Sequence, residues 1–110
     1  MAYDEALADR IRELVASEKG LTEKKMFGGL AFLVNGNMAV AASGQGGMLL
    51  RCDPADTAAF VKSAHVDRME MRGRAMDGWL RVGDDAIKTK AAITKWVDRG
   101  VAYAKLLPPK

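Results

Sequence analysis

The sequence predicts an α+β domain of two layers, with helices packed outside an antiparallel sheet. Three observations carry that prediction. Helical periodicity marks both ends of the chain, strand-like patterning fills the middle, and Asn35-Gly36 is a sharp hairpin signal. The expected order is α-β-β-β-β-α-β-β-α. At 110 residues the chain reads as one domain, 1–110, large enough to bury a core without metal or disulfide staples.

Tyr3 to Glu18 reads as an amphipathic helix, because Tyr3, Leu7, Ile11, Leu14 and Val15 recur along one stripe. Asp4 and Glu5 sit in its first turn, where the helix dipole favours acids. Gly20 is placed as its left-handed stop, with Leu21 folding back on the last turn. The period then changes. Glu23 to Phe27 is a short strand, and Gly29–Val34 and Asn37–Ala42 are joined by Asn35-Gly36, which suits a two-residue type I′ turn. Ser43 to Gly47 is a loop and Met48 to Cys52 a strand. Asp53 then caps a helix, with Pro54 at its first position and Asp56 at its third, and Phe60 and Ala64 mark its buried side. Met69–Arg72 and Trp79–Val82 are short strands separated by a polar GRAMDG loop. Asp84 or Asp85 caps the last helix, which runs to about Leu106 with Ile93, Trp96, Val97, Gly100, Val101 and Ala104 on its apolar stripe. A glycine in that stripe costs helix stability and so marks a close backbone approach. Pro108-Pro109 ends the helix.

A two-residue turn sets a hairpin register in which Val34 faces Asn37, Phe32 faces Ala39 and Leu30 faces Ala41. The opposite face then holds Ala31, Leu33, Met38 and Val40. A hairpin with one wet face would be polar there. Either a partner chain covers this second face or the sheet curls around itself, and the four residues are the candidate interaction surface.

Composition excludes several classes. The apolar fraction of 49% and charged fraction of 28% are those of an ordinary globular chain. An apolar run such as Leu30–Val34 is far too short to span a bilayer. The acidic start MAYDEALADR lacks the basic opening and apolar core of a signal peptide, and the single Cys52 forms no internal disulfide, so the expectation is a cytoplasmic protein. Net charge is +3, unevenly spread. Residues 1–61 carry 6 basic and 8 acidic side chains, and residues 62–110 carry 11 and 6.

Each catalytic or binding pattern meets a blander reading. Cys52 precedes a helix start, but His65, the one histidine, lies at the far end of the same expected helix, roughly 18 Å away at 1.5 Å per residue, so the two form no dyad. One Cys and one His supply no metal site, and no metal or other cofactor is expected. Gly44-Gln45-Gly46-Gly47 opens into a strand instead of a helix and reads as a hairpin loop, not a phosphate cradle. Gly28-Gly29 reads as a bend or bulge in the sheet. Arg68, Arg72, Arg74, Arg81, Lys88, Lys90, Lys95 and Arg99 could neutralise phosphates, and of these Arg72, Arg74, Arg81, Lys88 and Lys95 form the candidate basic patch. No aromatic residue is interleaved with them for base stacking. The methionines Met26, Met38, Met48, Met69, Met71 and Met76 cluster around strands, as core filler or as an adaptable recognition surface.

Lys25-Met26-Phe27-Gly28-Gly29, then Phe32, then Asn35-Gly36 resembles the N-terminal domain of the TfoX/Sxy competence regulators. Met76-Asp77-Gly78-Trp79 and Trp96-Val97 extend the resemblance over about residues 4–106. The resemblance implies an α+β fold similar to type III secretion chaperones, often dimeric. It also implies a regulatory role: the full-length regulators switch on DNA-uptake genes together with a cyclic-AMP receptor protein and carry a C-terminal helical domain. This sequence ends at Lys110 without that second domain, so a stand-alone domain is expected. The family brings no catalytic residues. Similar stand-alone domains are sometimes labelled RNA methyltransferases, and no GxGxxG supports that here. The expected function is a small non-enzymatic protein-interaction module in a regulatory setting, working as a homodimer or with a protein partner. The alternative is a nucleic-acid-associated regulator using the basic C-terminal half.

Overall fold

The computed structural model describes residues 3–26, 28–44, 46–71 and 73–108. The elements follow the expected order: α1 (Glu5–Val15), β1 (Leu21–Met26), β2 (Gly29–Val34), β3 (Asn37–Ala42), β4 (Met48–Arg51), α2 (Thr57–Phe60), β5 (Val66–Met71), β6 (Arg74–Val82) and α3 (Lys90–Leu106). The strands form one six-stranded sheet ordered β1-β2-β3-β4-β6-β5, with every neighbouring pair antiparallel.

α1 and α3 lie on one face of this sheet. Leu7, Ala8, Ile11 and Val15 of α1 and Ile93, Trp96, Val97, Val101 and Ala104 of α3 meet Leu30, Phe32, Val34, Val40, Ala42, Leu50, Leu80 and Val82 in the main core. Local chemistry sets the helix starts. Asp4 accepts the Leu7 N–H at 3.2 Å, and Thr89 accepts the Ala92 N–H at 3.1 Å. Gly100 closes the packing of α3 onto the sheet. A Cβ there would lie 2.6 Å from the Ala39 carbonyl oxygen, 2.6 Å from Leu50 Cδ1 and 2.9 Å from Val40 Cγ1. The close approach expected of this glycine is therefore the contact between the helix and the centre of the sheet.

Asn35 and Gly36 both have positive φ, 54° and 84°, as a type I′ turn requires. Val34 faces Asn37 and Leu33 faces Met38, but Phe32 then faces Val40 and Leu30 faces Ala42. Ala39 is an extra residue on β3, a β-bulge that a turn-based register cannot reveal. Its consequence is large. Ala39 and Val40 both enter the main core, and Ala41 takes the place expected for Val40 on the opposite face. The MFGG glycines are structural too. Gly28 has φ 71°, and a Cβ on Gly29 would collide with the Ala42 carbonyl. Phe27 lies outside the described residues.

Other boundaries differ for local reasons. α1 ends at Val15, so Gly20, at φ 75°, turns the chain into β1 and does not cap the helix. The helix expected after Asp53 is a 3₁₀ turn, Pro54–Asp56, followed by the single turn of α2. So short an apolar stretch cannot propagate a helix; Ala64 is exposed, and His65, at φ 65°, reverses the chain into β5. Asp84–Ala86 forms a separate 3₁₀ turn, and Ile87 leaves the helical path at φ −130° before Thr89 caps α3. Most of the GRAMDG segment belongs to β6. Among the described residues no helix is long and apolar enough to cross a membrane.

The edge strand β1 is charged, with exposed Glu23, Lys24 and Lys25, which discourages pairing with other chains. Arg12 of α1 grips Glu23 with a two-pronged hydrogen bond, at 2.8 Å from Nε and 2.9 Å from Nη2, and this bond lowers the Glu23 pKa. A carboxylate held below its unfolded pKa stabilises the fold above that pKa and loses the effect as the pH falls through its folded value. The melting-temperature advantage of the wild type over Glu23→Gln should therefore be present at neutral pH and close below about pH 4; a constant gap would show the pair to be inert. Gly100→Ala should lower the melting temperature. Overpacking costs about 1–3 kcal/mol, which outweighs a helix-propensity gain of about 1 kcal/mol. An unchanged or raised melting temperature would contradict the close approach.

Candidate functional site

The sheet face away from the helices carries a second apolar cluster. Ala31, Met38, Ala41 and Leu49 form its floor, and Leu33, Met69 and Trp79 border it. Every member comes from a strand. The floor is closed within the single chain, with Ala31 at 0% and Met38 at 5% exposure. Leu33, Met69 and Trp79 are half-buried and form the accessible rim. Of the four residues expected on the interaction surface, Ala31, Leu33 and Met38 lie in this cluster. Val40 does not, because the bulge at Ala39 turns it into the main core. Leu49, Met69 and Trp79 come from strands distant in sequence, and Ala41 arrives only through the bulge, so hairpin reasoning could not assemble them.

A cleft of about 950 Å³ opens beside this cluster, with Ser43, Leu49, Asp67, Met69 and Arg81 among its lining residues. Arg81 donates to the Gly46 carbonyl at 3.1 Å and to Ser43 Oγ at 3.4 Å, which ties the β3–β4 loop across the cleft wall. The loop closes on itself as a hairpin, with Ser43 N–H donating to the Gly47 carbonyl at 3.0 Å.

The expected basic residues do not gather. Arg81 lies between the core residues Leu80 and Val82 and so faces away from the helices, whereas Lys95 rides on α3 on the other side of the sheet. Arg74 is exposed at the start of β6, and Lys88, ahead of α3, pairs with Asp85 at 2.9 Å. Arg72 lies outside the described residues. Aromatic rings do meet cations, in a way the sequence order concealed. The Arg99 guanidinium carbon sits 4.5 Å from the Phe60 ring centre and 4.6 Å from that of Trp96, and the Lys95 ammonium is 5.4 Å from Trp96. Arg51 lies 5.1 Å from the Trp79 ring centre and 5.9 Å from that of Tyr103.

Cys52 is buried beside Thr57, with Sγ and Oγ1 3.8 Å apart. Thr57 Oγ1 accepts the Gly78 N–H at 2.7 Å, and the Cys52 N–H donates to the Gly78 carbonyl at 2.9 Å. These bonds pin the Cys52–Thr57 segment against β6 where the β5–β6 register slips. Burial, chiefly, pushes the Cys52 thiol above its ordinary pKa, the reverse of what a nucleophile needs. With α2 a single turn, the helix-length argument separating Cys52 from His65 no longer applies; what holds the thiol is its contact with Thr57. Among the described residues no three His, Cys, Asp or Glu side chains come together as a metal site. Cys52 should react with a thiol-specific disulfide reagent far more slowly in the native chain than in denaturant, and faster only as the pH rises past about 8.5. A native rate equal to the unfolded one would contradict the burial, and a faster native rate at neutral pH would mark an activated thiol.

No curated protein and no solved structure matches the chain. The family model of the TfoX N-terminal domain matches residues 13–104, which span β1 to β6 and nearly all of α3. That range takes in the Gly28-Gly29 approach, the type I′ turn, the bulge and the Gly100 contact, and the chain belongs to the TfoX N-terminal domain family.

Proposed function

We propose that this domain is a non-enzymatic regulatory module of the cytoplasm that holds another protein chain, in the first instance a second copy of itself, against its helix-free sheet face. The observation that carries the reading is the strand-only cluster, whose half-buried rim of Leu33, Met69 and Trp79 stands beside an open cleft. Rims of this kind, apolar and bordered by polar side chains, suit protein contacts. Family membership supports the regulatory part, in keeping with the transcriptional role of the competence regulators. The buried, unactivated Cys52 supports a role without covalent catalysis and suits a reducing compartment.

Sedimentation velocity over the micromolar range tests the reading. The wild type should sediment as a dimer that dissociates on dilution, and Leu33→Glu should be monomeric with the native circular-dichroism spectrum and a melting temperature that no longer depends on concentration. A wild type that stays monomeric throughout would overturn self-association.

A further inference from the structure

The flank of α3 carries a ladder of cations and aromatic rings. Lys95, Arg99 and Tyr103 follow one another at four-residue spacing, so they stack along one side of the helix about 6 Å apart. Arg99 is wedged against Phe60 and Trp96, two rings in edge-to-face contact at 5.7 Å and 88°. One turn further on, Tyr103 meets Arg51, which also covers Trp79 at the end of the sheet. The flank ends at Leu106, which is 81% exposed.

Both guanidiniums sit against aromatic rings and face no described carboxylate. Neither the Arg51 nor the Arg99 side chain has a hydrogen bond or an ion pair to a described residue, whereas Arg12 and Arg68 engage Glu23 and Asp77 at 2.8 Å. Contact with the rings restrains each side chain, while its N–H donors keep no described acceptor. That is the preorganised state of a group that takes a bidentate oxyanion. Lys95 and Arg99 crowd their positive charges over the same Trp96 ring, a repulsion that an incoming anion relieves.

We infer that Arg99, Arg51 and Lys95 form a docking site for an acidic segment of a partner protein, with carboxylates on the two guanidiniums and an aliphatic side chain against Leu106. Two observations favour a peptide over a nucleic acid. The ring faces are occupied by cations and Trp96 is 2% exposed, so no base can stack there. The strip also ends in an exposed leucine, which suits an apolar side chain and not a phosphate. The inference rests on the reading of the domain as a protein-interaction module, but it centres the contact on α3, with Arg51 reaching it from the Trp79 margin of the strand face and away from Leu33.

Fluorescence anisotropy of the full chain with a fluorescein-labelled peptide of repeating Glu-Leu-Glu-Glu tests this, with a labelled oligothymidylate of equal charge as comparison. The peptide should bind at low salt. Replacing both Arg51 and Arg99 by Gln should weaken it on the order of tenfold or more, as loss of bidentate charged pairs does, and Leu106→Ser should weaken it less. Should the double variant fail to fold, Lys95→Glu, at an exposed position, must still weaken binding. Unchanged affinity in these variants, or tighter binding of the oligothymidylate, overturns the site. Leu33→Glu separates the two readings: it should leave peptide binding intact while abolishing the dimer. Loss of peptide binding in Leu33→Glu alone would refute the α3 site and leave the strand face standing.

Discussion

The fold depends on the close approach of α3 to the bulged strand β3. Gly100 lets the helix backbone come down on the Ala39 carbonyl, and the bulge that presents this carbonyl also turns Val40 inward beside Leu50. Helix and bulge are therefore two halves of one contact. Any side chain at Gly100 would lift α3, and the void would run under Trp96, Val97 and Val101, which form much of the core. The C-terminal end of α3 is fastened to other parts of the chain. Asn37 donates to the Pro108 carbonyl at 2.9 Å, and Lys105 pairs with Glu18 at 2.7 Å.

Because both long helices lie on one side, the two sheet faces have different fates. The helix side is the main core, built from α1, α3 and the strands beneath them. The other side has only strand side chains to cover its apolar residues, and it does so with small ones: Ala31 and Ala41 need little cover, and their larger neighbours close over them. What remains at the surface is a narrow rim of Leu33, Met69 and Trp79 beside a polar-walled cleft. The same economy shapes the α3 flank. Phe60 and Trp96 are not left as bare rings at the margin of the core but are covered by Arg99 and Lys95, so the margin is apolar beneath and cationic above.

Much of this was legible in the sequence. Asn35-Gly36 specified the turn, the periodicity of residues 90–106 specified α3 and its buried stripe, and Gly100 announced a close contact. These are local signals: a turn needs two residues of positive φ, and a helical stripe repeats within its own segment. The exit of the first helix and the short α2 were harder, because the ends of weak helices are decided by what they pack against and not by the residues that cap them.

The sequence by itself determined the class of fold, the element order, the hairpin turn and the family. Only the tertiary structure decided which faces Val40 and Ala41 occupy, since one extra residue at Ala39 inverts the alternation beyond it and carries no signature of its own. It also decided the company of the charged side chains. Arg51 and Trp79, or Arg99 and Phe60, are far apart along the chain and meet only because strand pairing and helix docking bring them together. Periodicity reports which side chains share an element. Which elements share a surface is settled by the packing free energy of the whole domain.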